Sequence, residues 1–263
     1  MDIDAKYFKE YRLKLGFTNQ NNLKNYLSAK DLRPNIDYDY LNVLDIRLKE
    51  ILIKLNNIVD ESIKFNDINL FCKKNIDEVH KSLADNNILP KLNNQGRRPE
   101  QVYFSWVRGY AISTFFLKSM SNIFDTDIKN ISLIGDDDLT NIETFKRTPK
   151  ADLEITLSNK NKLRIEVQSG FQGINDIKQH KVLEAKRIKR EFNISSIVAH
   201  FDIFNGQVAF VQIDDIDDNN INWITRQQME GQTVFNIDQN NFIWKITEKP
   251  PLLKELNIKL FNK

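Results

Sequence analysis

Asp152, Glu154, Glu166 and Gln168 are the residues of this sequence whose types and spacing could do chemistry. They lie in two segments that alternate apolar and polar side chains. Leu153, Ile155 and Leu157 alternate with Asp152, Glu154 and Thr156, and Leu163, Ile165 and Val167 alternate with Arg164, Glu166 and Gln168. A period of two predicts half-buried strands with all the polar side chains on one face. Between them the polar, Asn-rich link SNKN tolerates a left-handed backbone, so a hairpin is the expected join. A three-residue loop at Asn159, Lys160 and Asn161 would pair Ile155 with Ile165, Leu153 with Val167, Glu154 with Glu166 and Asp152 with Gln168. That register crowds three carboxylates on one face. Like charges opposite one another in a sheet are destabilising, so Asp152, Glu154 and Glu166 together ask for a cation. Carboxylate oxygens suit Mg²⁺, which keeps several waters and joins protein carboxylates to substrate phosphates. A solvated hairpin face, charged only for solubility, is the alternative.

Other elements must hold this hairpin in place. Residues 1–95 read as a helical N-terminal region, with helices expected at Tyr7 to Leu15, Asn21 to Leu27 and Tyr38 to Ile58. In the last of these, Leu41, Leu44, Leu48, Ile51, Leu52 and Leu55 recur at helical spacing and make a broad buried face. A loop at Asn93, Asn94 and Gly96 then marks a boundary, and residues 96–263 form the second region. Pro99 opens a helix expected to run to about Ile123, apolar nearly all round and therefore buried against a sheet. After the hairpin, a helix is expected from about Ile174 to Glu191, followed by strands at Ser195 to Phe204 and Gln207 to Ile213 joined by the turn Asn205-Gly206. Two more strands are expected at Thr233 to Ile237 and Phe242 to Ile246. The fold class is α/β: a mixed central sheet flanked by helices, with a helical N-terminal part.

Composition narrows the classes of function. With 41% hydrophobic and 28% charged residues over 263 positions, the chain is an ordinary globular protein with a sizeable core. Cys72 is alone, which removes intrachain disulfides and favours a reducing compartment. The N-terminus lacks the apolar stretch of a secretory signal, and no uncharged apolar run is long enough to span a membrane, so the expected location is the cytoplasm. His80, His180 and His200 have no His or Cys neighbours at metal-ligand spacing, which argues against zinc. The net charge of +2 is unevenly placed: from Lys146 to Arg190 there are twelve Lys or Arg against five Asp or Glu. A basic face beside the carboxylates fits a phosphate backbone.

The run from Pro149 through Asp152 to Ile165-Glu166-Val167-Gln168, followed by a Lys- and Arg-rich helix, resembles the PD-(D/E)XK nuclease superfamily, over roughly 45 residues. In that superfamily an Asp at one strand and an (Asp/Glu)-x-Lys on the next hold Mg²⁺ beside the scissile phosphate. Asp152 matches the motif Asp, Glu166 the second acid and Gln168 the usual Lys. Pro149 is not adjacent to Asp152, and Gln replaces Lys, as in a Glu-x-Gln variant found among type II restriction endonucleases. The resemblance implies a restriction-endonuclease-like core, Mg²⁺ held by Asp152, Glu166 and the Val167 carbonyl, and a water oriented by Gln168. It implies an acid on a preceding helix, for which Glu100 is the candidate. A Glu at a helix N-terminus is also favoured by the macrodipole alone. Glu154 is a further possible acid.

The function expected on this basis is a Mg²⁺-dependent, sequence-specific double-stranded DNA endonuclease, a type II restriction enzyme. Such an enzyme would act as a homodimer and pair functionally with a cognate DNA methyltransferase. Lys146, Arg147, Lys150, Lys178, Lys181 and Arg187 are the expected phosphate contacts. Arg226 and Gln228 are side chains of the types that read G and A in the major groove. The alternatives are a repair or junction-resolving nuclease of the same superfamily, a non-catalytic DNA-binding protein, and a helical interaction protein with no nucleic-acid partner.

Overall fold

The computed structural model describes residues 3–92, 97–135, 139, 151–171, 175–217, 219–226, 231–256 and 258. Helices α1 (Ala5–Leu15), α2 (Gln20–Leu27) and α3 (Tyr38–Ile58) begin the chain. An Asp or Asn at each N-cap accepts an orphan backbone N–H: Asp4 from Tyr7, Asn19 from Asn21 and Asp37 from Tyr40. Helix α3 runs over the length that its periodicity predicts and buries Leu41, Leu44, Leu48, Leu52 and Leu55. Helices α4 (Ile68–Cys72) and α5 (Glu78–Asp85) are joined through a π-helical turn at Lys73–Asp77. Buried Asp45 of α3 ties this region to the next helix. It accepts a hydrogen bond from Tyr103 Oη at 3.0 Å and lies 2.6 Å from His80 Nδ1.

The helix expected from Pro99 to about Ile123 is two helices, α6 (Pro99–Phe115) and α7 (Leu117–Ile123). Phe116 leaves helical geometry between them, fully buried, and stacks on Phe201 at a ring separation of 4.1 Å. Next come β1 (Ile131–Leu133), β2 (Leu153–Thr156) and β3 (Lys162–Gly170), then β4 (Asp176–Lys178) and α8 (Gln179–Phe192). Strands β5 (Ser195–Asp202), β6 (Gln207–Gln212), β7 (Ile224–Arg226), β8 (Gln232–Asn236) and β9 (Phe242–Lys245) complete the set.

Six of these strands form one mixed sheet in the order β1-β2-β3-β5-β6-β9. All neighbours are antiparallel except β3 and β5, whose parallel pairing requires the crossover that α8 provides. A second sheet, β4-β8-β7, is small and antiparallel. The helix expected from Ile174 therefore begins later, because Asp176–Lys178 pair with Val234–Asn236 as a strand.

Alternation sends the two faces of the large sheet into different cores. Leu153, Ile155, Leu163, Ile165, Ile197, Ala199 and Phe201 join α3, α5, α6 and α7 in the larger cluster, which spans both sides of the boundary expected at residue 95. On the opposite face Val198 and Ala209 meet Val182 and Ala185 of α8 and Ile177, Phe235 and Ile237 from around the small sheet. The even-numbered side chains of β3 project on this second side, towards α8.

Candidate active site on strands β2 and β3

The hairpin forms, with a loop one residue earlier than expected. Lys160 N–H donates to the Leu157 carbonyl at 2.8 Å, and Leu157 N–H donates to the Asn161 carbonyl at 2.9 Å. Lys160 takes the left-handed conformation at φ 66°, and Asn159 Oδ1 accepts from Asn161 N–H. The loop is thus Ser158 to Lys160, a turn followed by one left-handed residue. Leu153 pairs with Ile165, Ile155 with Leu163 and Glu154 with Arg164, correcting the register that set Glu154 against Glu166. Because the pairing moves by two residues, side chains keep their faces but change their neighbours. Glu154 lies 2.6 Å from Lys162 Nζ and 3.3 Å from Arg164 Nε. Burial pushes its carboxyl up, but these two cations outweigh burial and hold it below the usual carboxylate range.

Asp152 stands immediately before β2, where its backbone carbonyl accepts from Ile134 N–H. Its Oδ2 accepts the Val167 N–H at 2.7 Å, so the carboxylate continues the ladder where β2 begins. Glu166, the preceding residue on β3, points towards α8 and meets its Lys181 Nζ at 2.8 Å. Only 18% of the Glu166 side chain and 20% of the Lys181 side chain are exposed. Gln168 donates from Nε2 to the Asp176 carbonyl at 2.8 Å, anchoring β4 beside β3. Val167 is half-buried and packs against the larger core.

The same face continues into groups that the sequence reading did not single out. His200 of β5 is the register partner of Gln168, only 1% exposed, with Nε2 2.8 Å from Asn175 Oδ1 and Nδ1 without a partner among the described residues. Burial pushes its imidazole down to about 4, against the opposing pull of Asp202 and Asp176. Asp176 is fully buried and held by Arg226 Nε at 2.9 Å and by Asn236 Nδ2 at 3.2 Å. A polar residue amid a buried strand, as in Ala199-His200-Phe201, was the available signal for His200. Asp176 was hidden by the assignment of its segment to a helix.

Several expected contacts have other occupations. Arg226 pairs with buried Asp176, and Arg187 pairs along its own helix with Glu184 and Glu191. Lys181 points at Glu166, and Lys178 is the N-cap residue of α8. Glu100 is 1% exposed and accepts hydrogen bonds from Arg98 and from the N–H of Asp37, joining the start of α6 to the start of α3. Burial raises its carboxyl, yet Arg98 and that N–H hold it below the ordinary value. Lys146, Arg147, Lys150 and Gln228 lie outside the described residues.

No group of three or more His, Cys, Asp or Glu that could hold a metal occurs among the described residues. Mg²⁺ commonly takes one or two protein carboxylates and completes its shell with water and phosphate oxygens; the two carboxylates that the sequence names for it are Asp152, bonded to Val167 N–H, and Glu166, paired with Lys181. Among the described residues no helix is long and apolar enough to cross a membrane. No protein-family model, characterised protein or solved structure matches this chain.

Proposed function

We propose that the chain is a Mg²⁺-dependent endonuclease of double-stranded DNA, sequence-specific in the manner of type II restriction enzymes, with Asp152 and Glu166 as metal ligands. The observation that carries this reading is the bond from Val167 N–H to Asp152 Oδ2 at 2.7 Å, which locks one carboxylate beside the strand segment that bears the other. The mixed sheet, with α8 packed on the carboxylate side, agrees with the restriction-endonuclease-like core that the resemblance implies. Bound Mg²⁺ would lower the pKa of a water and stabilise charge on the phosphate oxygens, so a protein base is not essential. The chain's own residues supply the rest. Gln168 is held by the Asp176 carbonyl at the motif position and orients water or phosphate without adding charge. Lys181, paired with Glu166, brings from α8 the positive charge that a motif Lys would carry.

The ion pairs of Glu154 and Glu166 favour a second reading, a DNA-binding protein in which these carboxylates only brace the fold. Incubating the full chain with mixed-sequence duplex DNA and Mg²⁺, then sequencing the fragment ends, separates the two. Fragments sharing one end sequence, lost in Asp152→Ala and Glu166→Ala, are the expected result. Intact DNA, or cleavage that survives Glu166→Ala, would sink the nuclease reading.

A further inference from the structure

Gln101, Phe104, Ser105 and Arg108 recur at three- and four-residue spacing and so share one stripe of α6. This stripe faces Tyr40 and Leu44 of α3, and Arg97 closes the same cleft of about 360 Å³ at the start of α6. Two guanidinium groups therefore line one cleft that, among the described residues, no carboxylate lines. Among the described residues Arg97 reaches only the Gln101 carbonyl, at 3.4 Å. Arg108 lies over the ring faces of Phe104 and Phe171, at 5.8 Å and 5.0 Å, and makes no hydrogen bond or ion pair among the described residues. Phe171 directly follows Gly170, the last residue of β3, so Arg108 joins the cleft to the end of the strand that carries Glu166 and Gln168.

Such an arrangement is costly by itself. Burial, and after it the charge of Arg97, pull the Arg108 guanidinium below its ordinary value. Contact with two aromatic faces offsets only part of that cost and leaves the five N–H donors without an acceptor among the described residues. A tetrahedral anion offsets the repulsion and fills the donors, because guanidinium forks match phosphate oxygens in pairs. Tyr40, Gln101 and Ser105 add neutral polar groups to the walls.

We infer that the cleft between α3 and α6 binds a phosphate group through Arg97 and Arg108. The phosphate belongs to a phosphodiester of the DNA backbone or to a free phosphate ion. Only the first source rests on the nuclease reading.

The test uses the full chain with Ca²⁺ and a labelled duplex for binding, and inorganic phosphate as the small anion in a thermal-shift titration. Arg108→Met keeps the stem over the aromatic rings and removes the charge; Arg97→Gln acts at the edge of the cleft and serves if the first variant does not fold. For a backbone site, each variant weakens duplex binding several-fold and reduces the slope of log affinity against log salt by about one. Arg108→Lys regains the slope without the full affinity, since it restores charge but not the fork. For a free-phosphate site, inorganic phosphate raises the melting temperature of the wild type and not of the variants. The inference is overturned if duplex affinity, salt slope and phosphate stabilisation are all the same in wild type and both charge-removing variants. Cleavage retained by Glu166→Ala defeats the nuclease reading alone and leaves these binding results standing.

Discussion

Lys181 Nζ lies 2.8 Å from the Glu166 carboxylate, so helix α8 brings a cation to the face of the hairpin that carries this carboxylate. Lys181→Ala should lower the single-turnover cleavage rate by about a hundredfold, the scale of losing one positioned charge at a developing anion. It should cost roughly 1–3 kcal/mol of stability, less than a wholly buried pair because both side chains are partly wet. Lys181→Arg should recover most of the stability and part of the rate. Wild-type cleavage by Lys181→Ala would leave that cation a purely structural role.

Asp152→Ala and Glu166→Ala should reduce cleavage to background while retaining duplex binding in Ca²⁺, as measured by anisotropy. Glu154→Ala is the contrast. Its partners are the exposed Lys162 and the more sheltered Arg164, so it should lose only about 1 kcal/mol and cleave at nearly the wild-type rate. A Glu154→Ala variant as inactive as Glu166→Ala would return Glu154 to the catalytic group.

His200 should give stability a pH dependence above the carboxylate range. Its value falls from an ordinary 6.5 to about 4 in the folded protein. Between those values the unfolded chain binds more protons, so the stabilisation is present above pH 6.5 and is lost as pH falls towards 4. The slope approaches about 1.4 kcal/mol per pH unit. Denaturant midpoints at pH 7 and pH 5 measure it, and His200→Gln should flatten the difference. An equal slope in that variant would assign the dependence elsewhere.

Arg226→Ala should destabilise the protein by roughly 3 kcal/mol, because it strips the cation from a carboxylate that is fully buried. Asp176→Asn together with Arg226→Ala should recover part of that loss, since no buried charge is then left unpaired. The two melting curves decide the matter: a double variant less stable than the sum of the singles would contradict the pairing.

Local order was legible in residue patterns. Apolar spacing marked α3 over its full length, and Asn205-Gly206 marked the turn between β5 and β6. Period-two alternation set Glu166 and Gln168 on the polar face of β3, and the paired strands keep it so. These features depend on neighbours a few positions apart, where helical or strand geometry alone decides which side chains coincide.

What lay beyond that range belonged to tertiary structure. The loop settled at Ser158 to Lys160 and exchanged Glu166 for Arg164 opposite Glu154, because moving a hairpin by two residues preserves every face and so leaves no trace in the alternation. Asp176–Lys178 became a strand only because Val234–Asn236 supplied a ladder for them. The meetings of Lys181 with Glu166, Arg226 with Asp176 and Arg108 with Phe171 join residues 15, 50 and 63 positions apart. The sequence by itself determined which side chains carry charge and which face of its element each occupies. Which charges neutralise one another was decided only when β3, α8 and the small sheet packed together, since a buried charge takes whatever partner the fold brings within reach.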